Sequence, residues 1–329
     1  MERHILVTGG CGFLGSHFIN KHFILNPESF IVNLDALYHT HTKEENINMF
    51  VSQSSRYIFI EGNCCDFDLV QHILKTYEID IIVHFAAQSH VENYLTDTGK
   101  YVKDNIVGTQ TLLEATRKYG QLEKFIHVST DEVSGDFLMS PYDLDKTEQS
   151  VYCATNPYAA SKASAELLVS SYFHTFKLPI IITRGNSVYG PKQNPQKLIP
   201  KFIKALRDEE KILIHGDGSS VRGYLHVYDA TTAIDLILDN GVIGEIYNIG
   251  CEQDDECSVL DIAKGLILLM INNNLKTEEE FSRYLEFDET SCPKKMKDKR
   301  YFVSNYKMKK LGWKLEIPFI DGLLGLIQE

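Results

Sequence analysis

The chain has 329 residues, enough for one large α/β body or two lobes with separate cores. Apolar residues at 43% and charged residues at 24% are globular proportions and exclude a disordered or fibrous chain. A formal net charge of −12 weighs against nonspecific binding to nucleic acid or an anionic membrane, so an anionic ligand needs a local cationic site. In chain order, β-branched apolar runs predict strands at Ile5–Thr8, Phe30–Leu34, Tyr57–Ile60, Ile79–Phe85, Phe125–Ser129 and Ile180–Thr183. Helical segments of roughly ten to twenty residues separate them, the pattern of a doubly wound parallel sheet covered on both faces.

After about residue 184 the texture changes. Pro191, Pro195 and Pro200 punctuate a loop-rich stretch, then come a helix near Lys201–Arg207 and the turn Gly216-Asp217-Gly218. A strand at Glu245–Ile249 is expected to return to the main sheet, and a helix is predicted near Ser258–Asn272. The expected division is residues 1–184 with a return segment near 220–250 as the dinucleotide-binding domain. Residues 185–219 and 251–329 would form a smaller C-terminal substrate lobe. Seven cysteines without a CxxC pair read as reduced thiols. The twelve histidines show no ligand-like cluster, so no metal is expected. His4-Ile5-Leu6-Val7 runs into a glycine turn after too short an apolar stretch for a leader, and no later run would span a bilayer. The expectation is a soluble cytoplasmic protein.

Two motifs carry chemistry. Strand 1 ends in Thr8-Gly9-Gly10-Cys11-Gly12-Phe13-Leu14-Gly15. Glycines at 9, 12 and 15 permit a tight turn, close approach of a pyrophosphate, and packing of the next helix on the sheet. Asp35 ends strand 2, where a carboxylate binds adenosine ribose hydroxyls and repels a 2′-phosphate, so NAD is expected rather than NADP. A glycine turn and an exposed loop acid are the bland alternatives. Farther on, Tyr158 and Lys162 stand four apart on one helical face, where an ammonium can draw a phenol towards use as a base. Ser129-Thr130-Asp131-Glu132 sits at the C-terminal end of a buried strand, the edge where open α/β sheets bind ligands. A solvated turn and a solvated helix face are the alternatives for these.

The order GxxGxxG, Ser-Thr and YxxxK resembles the extended short-chain dehydrogenases, which have a Rossmann fold. Thr130-Asp131-Glu132 resembles the nucleotide-sugar 4,6-dehydratases among them, and the likeness is nearest to the dehydratase domain of plant rhamnose synthases. His84–Val91, Thr183–Asn186, Lys197–Phe202, Tyr247–Gly250 and Lys310–Trp313 carry the similarity further along the chain. The resemblance implies catalytic Thr130, Asp131, Glu132, Tyr158 and Lys162, with Glu132 as the base at C5 and Asp131 as the acid at the 6-hydroxyl. It implies cofactor contacts at Gly9, Gly12, Phe13, Leu14, Gly15, Asp35, Asn63, Cys64, Phe85, Ala86, Ala87, Ser89, Tyr158 and Lys162. It implies substrate contacts at His90, Thr130, Asn186, Ser187, Gln196, Lys197, Leu198 and Arg222, with Arg222 on the diphosphate. The family's second arginine would precede Pro293, where this chain has Cys292; Lys294, Lys295, Lys297 and Lys299 follow as substitute phosphate ligands or as a solvated loop. The family implies a homodimer through helices near Lys100–Tyr119 and Pro157–Phe176, and a nucleotide-diphosphate sugar as the substrate.

The sugar is where the chain departs from its relatives. Ser134 replaces a tyrosine, Ser187 an asparagine, Asn194 an aromatic residue and Gln196 a glutamate. A roomier, less acidic pocket favours UDP-N-acetylglucosamine, with or without inversion at C5; overall resemblance favours UDP-glucose or dTDP-glucose. A 4-epimerase or decarboxylase on the same scaffold, and a catalytically silent NAD-binding sensor, are the competing functions.

Overall fold

Each apolar run in the first half is followed by enough helical chain to cross back over the sheet, so the strands pair in parallel. The computed structural model describes residues 3–38, 43–89, 97–136, 146–271, 274–288 and 300–328. The strands are β1 (Arg3–Thr8), β2 (Ser29–Asp35), β3 (Tyr57–Glu61), β4 (Ile81–His84), β5 (Lys124–Thr130), β6 (Ile180–Gly185) and β7 (Ser187–Tyr189). They continue as β8 (Ile212–His215), β9 (Val221–His226), β10 (Ile246–Ile249), β11 (Glu256–Ser258), β12 (Leu285–Asp288) and β13 (Arg300–Tyr301). Seven of them form one sheet in the order β10-β6-β5-β4-β1-β2-β3. Every pair in it is parallel. The chain enters at β1, adds β2 and β3 to one side, then crosses to β4 on the other. The carboxyl ends of β1 and β4 therefore flank the switch point, where such sheets open a crevice.

Alternation along each strand divides the apolar side chains between two cores. Ile5, Val7, Ile31, Ile81, Val83, Ile126 and Ile181 face one core, with the helices Phe13–Leu25 and Val227–Asn240. Leu6, Val32, Leu34, Ile82, Phe125, Ile180 and Ile182 face the other, with Phe67–Thr76, Gly108–Tyr119 and Pro157–Phe176. This is the expected doubly wound sheet, and the Glu245–Ile249 run does return to it as its edge strand.

A third core holds Tyr189, Ile199, Phe202, Ile212, Ile262 and Leu323. Around it β9 pairs with β7, β11 and β13, and β8 pairs with β12. Two features differ from the sequence division. β9 lies in the small sheet, so the return to the main body begins at the Val227–Asn240 helix. Met308 and Trp313, expected in the smaller lobe, are buried in the first core. The Trp313 indole donates to the Asp229 carbonyl at 3.1 Å, and the Asp229 carboxylate accepts from the amides of Glu316 and Ile317. Among the described residues no helix is long and apolar enough to cross a membrane.

Candidate active site

The glycine loop closes the switch point by backbone contact. Gly9 has φ +71°, and a Cβ there would stand 2.6 Å from the Ala86 amide nitrogen beyond β4. A Cβ on Gly15 would stand 2.4 Å from the Gly9 carbonyl oxygen. Gly12 caps the Phe13–Leu25 helix, whose first amides and dipole offer an anion site beside β1. All residues expected at the cofactor, from Gly9 through Asp35, Asn63, Cys64, Phe85, Ala86, Ala87 and Ser89 to Tyr158 and Lys162, line one groove there. A cradle that any Cβ would fill, with amides at a helix start and a carboxylate after β2, fits a dinucleotide. Asp35 does more than face a ribose: its carboxylate accepts from the Cys11 and Leu37 amides, each at 2.9 Å, and so pins the glycine loop.

A second groove shares Phe13, Leu14, Ser89, Tyr158 and Lys197 with the first, so the two meet at Tyr158. Thr130, Asp131, Glu132, Asn186, Ser187, Leu198 and Arg222 line it. The Arg222 guanidinium lies 4.5 Å from the Tyr301 ring centroid, which orients the cation. Lys197 donates to the Ser89 carbonyl at 3.1 Å, bridging the strap that follows β7 to the loop after β4. Gln196 lines neither groove; it is exposed, and its backbone amide donates to Asn194 Oδ1 at 2.9 Å. The strap turns its side chain outwards, contrary to its expected substrate contact. His90 and the Lys294–Lys299 stretch lie outside the described residues.

The acidic pair is held from two sides. Asn186 Nδ2 donates to Asp131 Oδ2 at 2.7 Å, while Asn186 Oδ1 accepts from the Cys251 amide at 3.0 Å. Thr130 Oγ1 donates to Asp131 Oδ1 at 3.2 Å. Burial first, and the Glu132 carboxylate second, push Asp131 from 3.8 up to about 6, against the hydrogen bond from Asn186. Asn156 Nδ2 donates to Glu132 Oε2 at 2.7 Å, and Asn156 Oδ1 accepts from the Ala159 amide as the cap of the Pro157–Phe176 helix. One asparagine thus ties Glu132 to the helix that carries Tyr158 and Lys162. In the sequence Asn156 is indistinguishable from an ordinary cap before Pro157.

The expected pairing of Tyr158 with Lys162 takes another form. Lys162 Nζ donates to the Val128 carbonyl at 2.6 Å, and burial pushes the ammonium down to about 8, opposed by Glu166. Tyr158 is half-buried, and desolvation, then Glu132, drive its phenol well above the ordinary value, partly offset by a hydrogen bond with Thr130. Within the protein alone, Lys162 does not offset that rise.

A buried polar chain behind the groove was also missed. The helix running from Thr98 to Tyr119 has a π-helical stretch at Val102–Val107, and Asn105 sits within it. Asn105 Nδ2 donates to the Gln88 carbonyl at 3.0 Å and to Ser161 Oγ at 2.8 Å, and its Oδ1 accepts from the Gln88 amide at 2.7 Å. It fixes the loop after β4 against the Tyr158 helix. Nothing in Lys103-Asp104-Asn105 distinguishes it from an ordinary amphipathic helix.

Comparison with known proteins agrees with this geometry. The family model described as the NAD dependent epimerase/dehydratase family matches residues 5–250. The chain is 41% identical over 326 residues to an Arabidopsis thaliana trifunctional UDP-glucose 4,6-dehydratase/UDP-4-keto-6-deoxy-D-glucose 3,5-epimerase/UDP-4-keto-L-rhamnose-reductase. That match takes in 98% of this chain but 46% of the plant protein, so the chain spans about half the length of that relative. It is 39% identical over 327 residues to human dTDP-D-glucose 4,6-dehydratase, covering 99% of this chain and 89% of the human one. The crystal structure of dTDP-glucose 4,6-dehydratase from Bacillus anthracis, in complex with NAD, superposes with a TM-score of 0.85 at 33% identity over 99% of this chain and 96% of that one. The chain belongs to the NAD-dependent epimerase/dehydratase family of extended short-chain dehydrogenases.

Proposed function

We propose that this protein is an NAD-dependent nucleotide-sugar 4,6-dehydratase, forming a 4-keto-6-deoxyhexose that stays on its nucleotide. The observation that carries the reading is the pair Asp131 and Glu132, held by Asn186 and Asn156 beside Tyr158 at the meeting of two grooves. A 4-epimerase needs a tyrosine base and a hydroxyl; it has no use for a second acid and base set apart in this way.

In the proposed cycle Thr130 holds the sugar 4-hydroxyl and Tyr158 takes its proton as hydride leaves C4. NAD, when bound, would supply the hydride acceptor for C4 and, once reduced, the hydride for C6, and in its oxidised form a positive charge that favours the phenolate. The C4 ketone acidifies C5, whose proton Glu132 removes and, once hydride has reached C6, returns to C5. Asp131, at about 6, is protonated in a useful fraction near neutrality and gives its proton to the departing 6-hydroxyl, which leaves as water. Lys162 and Asp35 would hold the nicotinamide-side and adenosine-side riboses, and Arg222 the substrate diphosphate.

The relatives support glucose on UDP or dTDP as the substrate. UDP-N-acetylglucosamine is the second reading, favoured by Ser187 in the groove wall. A homodimer is proposed through the helices near Lys100–Tyr119 and Pro157–Phe176, supported by exposed Val107 and Leu167. Six described cysteines, all free, support a reducing cytoplasmic setting. Incubation with UDP-glucose, dTDP-glucose and UDP-N-acetylglucosamine should give a nucleotide sugar lighter by one water, seen by mass spectrometry. A change of configuration at C4 without loss of mass would make it an epimerase; no turnover with NAD bound would make it a sensor.

A further inference from the structure

The adjacent cysteines at the adenosine end of the cofactor groove have no part in that cycle. Cys64 is buried and lines the groove, and Cys65 stands beside it on the partly exposed side of the same turn. Both sulfurs point to Gly108, where an added Cβ would stand 2.9 Å from Cys64 Sγ and 3.4 Å from Cys65 Sγ. The missing side chain of Gly108 is the space that both thiols share. The turn itself is built into the groove wall. Asn63 Oδ1 accepts from the Cys65 amide at 2.8 Å, and Asn63 Nδ2 donates to the Tyr38 hydroxyl at 2.6 Å, with Asn63 and Tyr38 both lining the groove.

We propose that Cys64 and Cys65 form a vicinal dithiol that small-molecule disulfides oxidise to an intrachain disulfide, with loss of dinucleotide affinity. The Cys65 thiolate attacks a disulfide such as oxidised glutathione, releasing one glutathione thiolate and leaving a mixed disulfide on Cys65. The Cys64 sulfur then attacks Cys65 Sγ, forming the Cys64–Cys65 bond and releasing the second glutathione. Two protein thiols are oxidised, one small disulfide is reduced, and the two thiol protons pass to the released thiolates or to solvent. The order follows the setting: a hydrogen bond from Cys64 first, and Lys103 as the favourable charge, hold the Cys65 thiol below its ordinary value, while Cys64 is raised.

Ring closure twists the turn. Neighbouring Cα atoms across a trans peptide are about 3.8 Å apart, below the roughly 4.4–6.8 Å of relaxed disulfides. The bond is therefore strained and readily reduced, the property of a regulatory rather than a structural disulfide. Movement of the Cys65 amide releases Asn63, and with it Tyr38, from the groove wall. Because the coupling is reciprocal, bound dinucleotide opposes closure by the same factor.

The coupling rests on the dinucleotide reading; the disulfide does not. The reduced protein is equilibrated in glutathione redox buffers with and without saturating NAD, its thiols are alkylated, and it is analysed by intact and peptide mass spectrometry. NAD affinity is measured by calorimetry on each form. The expected species lacks two hydrogens, maps to Cys64–Cys65 and reverts with dithiothreitol. It binds NAD about tenfold more weakly, and NAD shifts half-oxidation about tenfold towards oxidised glutathione. Cys65→Ser should bind NAD like the parent and lose the redox response. Stable glutathione adducts, a bond to another cysteine, or unchanged NAD affinity after closure would overturn the proposal. Failure of the reduced protein to bind NAD would defeat the cofactor reading and the coupling, while the mapped bond is still judged by mass alone.

Discussion

Replacing Asp131 by asparagine should make the protein more stable at neutral pH while ending water elimination. Burial and the neighbouring Glu132 raise the Asp131 carboxyl from 3.8 to about 6. A shift of that size means that ionising it in the folded state costs about 3 kcal/mol more than in the unfolded chain. The folded form holds the proton more tightly, so the wild type is at full strength below pH 4 and loses stability as pH rises to about 6, with no further loss above. Asparagine has no such dependence. It keeps an acceptor for Asn186 Nδ2, and the Thr130 hydroxyl can turn to accept from its amide. The neutral acceptor weakens the Asn186 bond by about 1 kcal/mol, leaving a net gain of about 1–2 kcal/mol at pH 8. Urea unfolding at pH 4, 6 and 8 measures the gap, and for a chain of 329 residues the Tm at pH 8 should rise by about 1–2 °C for each kcal/mol. The gap should open between pH 4 and 6 and then hold level. A variant no more stable than the wild type at pH 8, or a gap that widens on acidification, would refute the reasoning. In the same protein, NAD should still be reduced by substrate, with no water lost.

Further substitutions separate the other roles. Tyr158→Phe should abolish reduction of bound NAD by substrate, whereas Glu132→Gln should permit that reduction and stop elimination; rapid-scan absorbance of NADH distinguishes them, and normal product from Glu132→Gln would exclude Glu132 as the base. Gly15→Ala brings a Cβ to 2.4 Å from the Gly9 carbonyl and should cost about 1–3 kcal/mol as well as NAD binding, read by unfolding and calorimetry. Asp35→Asn should lower the preference for NAD over NADP about tenfold in paired titrations, since the repelling charge goes; it should also weaken both dinucleotides, because the Cys11 and Leu37 amides bond to different carboxylate oxygens and asparagine keeps an acceptor for only one of them.

The large sheet was legible because its strands are buried on both faces and its crossovers are long, so hydrophobic runs and helical spacing speak clearly. The smaller sheets were not. β7 has three residues and β13 two, and each exists only because β9 offers a partner far away in sequence. The glycine loop and Tyr158–Lys162 were legible as motifs because fixed spacings serve fixed backbone geometry. What tunes them was not legible, because it comes from buried polar atoms meeting across the fold. Lys162 turns to the Val128 carbonyl, Asn105 grips the loop after β4, and Asn156 reaches Glu132. Asn186 was expected at the substrate, but not as the donor that fixes Asp131.

The same distinction decides how far the sugar can be read. Of the four departures that suggested a roomier hexose pocket, Ser134 is buried and lines neither groove. Asn194 faces the dinucleotide groove and uses its side chain to cap the Gln196 amide, while Gln196 is exposed. Only Ser187 reaches the groove with the acidic pair. Serine in place of asparagine removes less bulk than an acetamido group adds to a hydroxyl, so this one change leaves an N-acetyl sugar crowded. Discrimination by crowding in a pocket of this kind is worth about 1–3 kcal/mol, or roughly 10- to 200-fold in kcat/KM. UDP-glucose should therefore be turned over faster than UDP-N-acetylglucosamine by a factor in that range. Ser187→Asn should widen the gap by slowing the N-acetyl sugar while barely affecting glucose. Equal kcat/KM for the two sugars in the wild type, or a Ser187→Asn variant that slows both alike, would show that another wall of the groove sets the choice.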